Sequence, residues 1–238
     1  MAQPSPIDDE VDAVRERYRR RQGDARRYSL LDRTALLAMQ ERERVLAALI
    51  VGLGWHDLSS RKLVEVGCGT GANLLELLRF GFSPEHLQGI ELMQESAERA
   101  RRVLPPSVRI QIGDASAPGT GIPHGTQDVA FQATVFSSIL DDRLQVRLAE
   151  TMWQWVRPGG GILWYDFTVD NPRNPDVRGV PLARVRELFP EGTIQSRRVT
   201  LAPPVARLVT KLHPSLYSIL NACPWLRTHA HVWISKRS

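Results

Sequence analysis

Residues 64–78, VEVGCGTGANLLELL, constrain the fold more than any other stretch of the chain. An apolar run carrying one acid, Glu65, leads into three glycines at alternate positions, Gly67, Gly69 and Gly71. A leucine-rich stretch with helical spacing follows and stops at Gly81, a residue suited to the left-handed position that ends helices. The pattern is strand, tight turn and helix in immediate succession. Three glycines in one turn mean that something lies too close to the backbone for side chains. In an open parallel sheet, this turn is where a nucleotide-like ligand meets the backbone. The dinucleotide spacing is G-x-G-x-x-G. The shorter G-x-G-x-G loop here, preceded by an acid, suits a ligand without phosphates.

The rest of the chain repeats the same rhythm. Strands are predicted over 61–67, 86–92, 108–115, 128–136 and 161–167. Helices are predicted over 71–81, 94–104 and 141–160, the last ended by Pro158-Gly159-Gly160. After Phe167 the rhythm breaks into a Pro- and Asn-rich stretch, followed by a short helix. A final antiparallel pair of strands, TIQSRRVTL and HAHVWISK, encloses a helical stretch over 206–221 that Pro214 interrupts. Strands separated by helices of this length predict an α/β fold with a doubly wound sheet. No internal repeat or low-complexity segment is present.

Two more acids fall where a ligand over the glycine turn would need them. Glu91 ends the second strand about twenty residues after the glycines, where a carboxylate accepts from both hydroxyls of a ribose. Asp114 ends the third strand, placed to accept from an adenine amino group, with Leu92 and Met93 against the ring.

Composition narrows the classes. Apolar residues at 42% and charged residues at 24% are ordinary for a soluble globular protein. Two distant cysteines, Cys68 and Cys223, form no metal or disulfide framework, which fits a reducing cytoplasm. No signal peptide and no apolar run long enough to span a bilayer is found. The net charge of +5 is concentrated at one end, since residues 160–238 hold eleven basic and five acidic residues. Such an excess fits an anionic substrate, an anionic membrane surface or nucleic acid.

Taken in order, LVEVGCGTGAN, GIEL, GDA, DVAFQATVFSSI and RPGGGILWYDF resemble the successive motifs of class I S-adenosylmethionine-dependent methyltransferases. The resemblance covers residues 61–168 closely. It implies a Rossmann-like, doubly wound, seven-stranded sheet, mostly parallel with the last strand antiparallel. It implies S-adenosylmethionine over the first three strand ends and an acceptor over strands four and five. The implied cofactor set is Glu65, Gly67, Cys68, Gly69, Gly71, Glu91, Leu92, Met93, Asp114, Ala115 and Gln132. Where many relatives carry a His pair after the fourth strand, this chain has Ser137 and Ser138. It also lacks the N-P-P-Y motif of amino-directed nucleic-acid enzymes, which argues against a nucleic-acid acceptor.

A hydroxyl acceptor needs a general base or a polarising metal. The candidates are His124, Asp141, Asp166, His213 and His229, and Asp166 stands out because it ends the fifth strand. No metal set is expected, since acids at Asp141-Asp142 suit a helix start. The loop over 166–182 offers Asn171, Asn174 and Arg178 as acceptor-binding groups. Residues 1–58 are expected to form an N-terminal helical lid, with Tyr18 or Tyr28 near the site, and 59–238 the methyltransferase domain. The sequence therefore points to a cytoplasmic enzyme that methylates an oxygen of a small molecule. The expected acceptor is a sugar, a glycosylated intermediate or a lipid-linked one, with weak membrane-surface contact through the basic C-terminal helices. The alternatives are an RNA methyltransferase using the basic last third and a non-catalytic cofactor-binding scaffold.

Overall fold

The computed structural model describes residues 6–21, 29–171 and 174–237. Seven strands form one sheet: β1 (Leu63–Val66), β2 (Leu87–Glu91), β3 (Arg109–Ile112), β4 (Gln127–Ala133), β5 (Val156–Phe167), β6 (Thr193–Leu201) and β7 (Arg227–Ser235). Their order across the sheet is β3-β2-β1-β4-β5-β7-β6. The pairs among β1 to β5 are parallel, and β7 runs antiparallel to both β5 and β6. The carboxyl ends of β1, β4, β5 and β6 therefore share one edge.

Among the described residues there are eight α-helices: α1 (Pro6–Arg21), α2 (Arg33–Gly52), α3 (Ala72–Phe80), α4 (Gln94–Val103), α5 (Asp142–Trp155), α6 (Leu182–Leu188), α7 (Pro203–Leu212) and α8 (Ser215–Asn221). The period-2 alternation of the strands divides the core between two faces. Val64, Ala130, Ile162 and Trp164 pack against α1, α5 and α6 through Val11, Leu148, Met152 and Val185. Leu63, Val129, Phe131 and Leu163 pack against α2, α3 and α4 through Leu46, Leu74, Leu77 and Ala100. The two N-terminal helices thus lie on opposite faces, each with buried residues in a core cluster.

Boundaries differ from the sequence reading in several places, and β3 stops at Ile112, so Asp114 lies two residues past the strand rather than at its end. The fifth strand begins at Val156, so Arg157 to Gly160 belong to β5 rather than to a helix end. Backbone bonds explain this: Gly159 N–H donates to Lys236 O at 3.0 Å, and Lys236 N–H donates to Gly160 O at 2.9 Å. A Cβ on Gly161 would come within 2.5 Å of the Trp233 ring, so the strand passes the indole only as glycine. The fourth strand stops at Ala133, because Thr134 turns to φ 59° and donates its N–H to Tyr165 O at 2.8 Å. The helical stretch over 206–221 is two helices, α7 and α8, parted by His213 and Pro214.

Candidate functional site

The glycine turn joins β1 to α3, and all three glycines take positive φ: 65°, 54° and 87°. What excludes their side chains differs. A Cβ on Gly67 would lie 2.6 Å from Val135 Cγ2, and one on Gly71 would lie 2.8 Å from Leu104 Cδ1. A Cβ on Gly69 would meet nothing within 4 Å. Gly69 is the glycine that faces open space, and its N–H donates to Glu91 Oε2 at 2.8 Å. The other Glu91 oxygen accepts from Met93 N–H at 2.7 Å. Burial raises the Glu91 carboxyl above the usual range, against the Met93, Gly69 and Leu92 N–H groups that lower it.

Glu65 is 0% exposed. Its Oε1 accepts from Asn73 Nδ2 at 2.6 Å, and Asn73 Oδ1 accepts from Arg42 at 2.7 Å. Its Oε2 is buried with no hydrogen-bond partner among the described residues. Burial pushes the Glu65 carboxyl up to about 8, with Asn73 and Arg42 opposing. A buried carboxylate oxygen without a partner is costly unless something supplies a donor. A cationic ligand group beside it fits that requirement.

Asp114 is fixed by groups the sequence reading missed. Ser116 donates to it from both N–H and Oγ, at 2.8 and 2.7 Å, and Arg147 of α5 pairs with it at 3.1 Å. Leu92 packs at the edge of one core cluster, and Ala115 is buried inside it. Met93 stands just before α4. Cys68 turns its thiol into the core: a Cβ on Gly89 would lie 2.6 Å from its Sγ, and burial pushes the thiol up. Gln132 is fully buried and accepts from Val135 N–H at 3.0 Å, so it braces the turn after β4.

Asp166 is also 0% exposed. Its oxygens accept from Ser137 N–H at 3.1 Å and from Phe167 N–H at 2.9 Å. Burial pushes its carboxyl up to about 6. The carboxylate holds the Ser137 turn after β4. Of the other base candidates, Asp141 caps α5 by accepting from Arg143 and Leu144 N–H groups. His229 is buried and stacks on Tyr165 at 4.9 Å, and burial pushes it down to about 3. His124 and His213 are exposed.

The loop after β5 folds back on this edge. Arg178 donates its N–H to Ser137 O at 2.8 Å and its guanidinium to Asp142. Asn174 accepts from Asp176 N–H at 3.1 Å and donates its own N–H to Asn171 O at 2.9 Å. The N-terminal helix closes on the same place: Tyr18 OH lies 3.3 Å from Ser138 Oγ, and Arg17 donates to Ser138 O at 3.0 Å. Arg20 pairs with Asp176 of the loop at 2.7 Å. Tyr28 lies outside the described residues. The supports Asn73, Arg42 and Arg147 were not singled out from sequence. Only Asn73 carried a signal, as a polar residue in the first turn after the last glycine.

Residues 63–160 match the family described as a methyltransferase domain. A malonyl-[acyl-carrier protein] O-methyltransferase of Bacteroides fragilis is 44% identical over 69 residues, 29% of this chain and 14% of that protein. A tRNA N(3)-methylcytidine methyltransferase of Drosophila melanogaster is 27% identical over 116 residues, 46% of this chain and 35% of that protein. The chain thus spans well under half the length of either curated relative. A crystal structure of an S-adenosylmethionine-dependent methyltransferase of Thermotoga maritima superposes with a TM-score of 0.61 at 16% identity. That superposition covers 93% of this chain and 99% of the other, which shows a shared fold.

Proposed function

We propose that this chain, whose residues 63–160 match a methyltransferase domain, is a class I S-adenosylmethionine-dependent enzyme that methylates an oxygen of a small-molecule acceptor. The acceptor class we favour is a hydroxyl on a sugar, a glycosylated intermediate or a lipid-linked one. The observation that carries the cofactor reading is the pairing of open space at Gly69 with the unpartnered, fully buried Glu65 oxygen two residues from the turn.

In this reading Glu65 holds the cofactor's ammonium group, Glu91 its ribose hydroxyls and Asp114 its adenine amino group. Leu92, Met93 and Ala115 flank the ring. When bound, the cofactor supplies a methyl group made electrophilic by its sulfonium. The protein's share is placement and exclusion of water. In-line positioning of the acceptor is worth several kcal/mol of barrier. Arg147 fixes the Asp114 carboxylate, and Asn73 fixes that of Glu65. Asp166 acts as a positioning residue, because its carboxylate holds the 137–138 turn. Asn171, Asn174 and Arg178 present the acceptor groups, and α1 shields the edge with Tyr18 beside Ser138.

Oxygen as the receiving atom is in keeping with the O-methyltransferase relative. A second reading, transfer to RNA, draws on the tRNA-modifying relative and on residues 192–238, which contain seven Lys and Arg and no acid. One experiment separates them. The purified chain is incubated with methyl-labelled S-adenosylmethionine and a fractionated lysate of its own cell. Label in glycoconjugates or lipid extracts supports the first reading. Label in RNA replaces it with the second, and no label in any fraction sinks both.

A further inference from the structure

The C-terminal helices carry a surface that the methyl-transfer reading does not use. On α7 the buried side chains are Ala206, Val209 and Thr210. The opposite side shows two stripes at i, i+4 spacing: Arg207 with Lys211, and Leu208 with Leu212. Leu208 is 64% exposed and Leu212 74%. Beyond the break, Ile219 of α8 is 63% exposed, and Trp225 in the turn Pro224–Leu226 is 86% exposed. Four large apolar side chains standing in water within eighteen residues are not packing this domain. Its own apolar contacts here run through Leu201, Ala206, Val209 and Tyr217.

Charge decides what covers them. From residue 192 to the end the chain has seven Lys and Arg and no Asp or Glu. Among the described residues, Arg207 and Lys211 form no ion pair. Unpaired cations beside protruding leucines, isoleucine and an indole are the composition of a surface that enters the headgroup layer of an anionic bilayer. A two-fold contact between copies of the chain would set the same cations against each other. A phosphate backbone would neutralise the cations but leave the aliphatic teeth without an apolar partner.

We propose that the outer side of α7, α8 and the 224–226 turn docks on an anionic lipid bilayer. The geometry gives the docking a consequence. The hairpin leaves β6 at the carboxyl edge of the sheet, the edge that carries the glycine turn and the loop after β5. Thr34 of α2 bonds Thr210 of α7 at 2.8 Å, which fixes the hairpin to the body. A docked molecule therefore holds this edge close to the membrane, and lipid-linked acceptors arrive in the plane of the bilayer. That last step rests on the methyltransferase reading; the docking itself does not.

The test uses the whole chain without any methyl donor. Flotation is run with vesicles of phosphatidylglycerol and phosphatidylcholine, and with phosphatidylcholine alone. The expected result is binding only to the anionic vesicles, falling as salt rises. Lys211→Glu should weaken it by more than about fivefold, since each basic residue near such a surface contributes about fivefold and the new carboxylate is repelled. Trp225→Ala and Leu212→Ser should each weaken it severalfold. Brominated lipid should quench Trp fluorescence in the native chain and less in Trp225→Phe. Circular dichroism melts identify any variant that has lost its fold, and such a variant is replaced by Leu208→Ser. No binding at low salt overturns the proposal. So does binding indifferent to all the apolar substitutions, tighter binding to RNA than to vesicles, or a dimer that the same substitutions abolish. Failure here leaves the methyl-transfer reading standing, because labelled transfer is measured without vesicles.

Discussion

At the scale of single residues, the proposed cofactor site turns on two atoms, the Gly69 α-carbon and Glu65 Oε2. Gly69→Val puts branched carbon into the open space and into a φ of 54° that valine avoids. Calorimetric titration should show no S-adenosylhomocysteine binding to this variant, against micromolar affinity, about −8 kcal/mol, for the native chain. Asp114→Ala should weaken the same binding by about 1–3 kcal/mol, and retained affinity would remove Asp114 from the adenine side. Glu65 makes a sharper prediction. Its carboxyl sits at about 8, so at pH 7 it carries a proton that a bound ammonium would displace. Binding should release close to one proton, measured by calorimetry in buffers of different ionisation enthalpy. Affinity should rise about tenfold per unit from pH 6 toward pH 8, where the ligand's own amino group begins to lose its charge. Glu65→Gln should abolish both the release and the slope, and an unchanged slope in that variant would assign the proton elsewhere.

At the scale of elements, what the sequence made legible was what local pattern controls. The glycine turn, the acids Glu91 and Asp114, and the alternating strands follow from spacing alone, and all fall on one edge of the sheet. What it hid depends on distant chain. Arg42, which supports Asn73, comes from α2, 31 residues earlier, and Arg147 reaches Asp114 across 33 residues. Pro158-Gly159-Gly160 reads as a helix stop, yet its hydrogen bonds to Lys236 make it strand. The N-terminal segment reads as one lid, yet α1 and α2 lie on opposite faces because each has its own apolar stripe. The docking of α1 is itself testable. Glu10 accepts from Leu140 and Asp141 N–H groups and from Arg17, whose guanidinium also reaches Ser138 O. Both side chains are about 10% exposed, so Glu10→Ala leaves a nearly buried cation unpaired and should destabilise by about 3 kcal/mol. Burial raises the Glu10 carboxyl, but Arg17 and the two N–H groups outweigh it and leave it lowered. Its contribution is therefore present above the unfolded value and lost as pH falls through the folded one. Hydrogen-exchange protection at 136–141, taken relative to the intrinsic rate at each pH, should fall as pH drops below the ordinary carboxylate range, and should fall in Glu10→Ala at pH 7. In the neighbouring loop, Arg178→Ala should reduce turnover strongly with cofactor affinity nearly unchanged. Equal loss of both would make Arg178 a support of the cofactor side.

At the scale of the whole molecule, four buried groups whose folded values lie between about 3 and 8 shape much of how stability varies with pH. Burial raises Glu65 to about 8 and Asp166 to about 6. Burial, with Arg42 beside them, lowers His229 to about 3 and His231 to about 4. A raised carboxyl binds a proton in the folded chain that the unfolded chain has released, so each such acid makes stability fall with rising pH up to its folded value. A lowered histidine does the reverse: the unfolded chain binds the proton, so stability rises with pH until the unfolded value, about 6.5, is passed. Between about pH 4.5 and 6 the two acids and two histidines oppose each other and the profile is nearly flat. From 6 to 6.5 the histidines win. Above 6.5 Glu65 makes stability drop by about 2 kcal/mol by pH 8, and the raised Glu91 and Glu76 carboxyls act in the same direction up to their own folded values. Urea unfolding of the ligand-free chain should therefore show greatest stability near pH 6.5. A saturating ligand that places an ammonium at Glu65 should cancel the decline between 6.5 and 8, because the folded chain then holds the carboxylate ionised throughout. Glu65→Gln should flatten the same limb without ligand. A decline that survives this substitution would mean that another group carries it, and the unpartnered oxygen would lose its claim as the centre of the cofactor cradle.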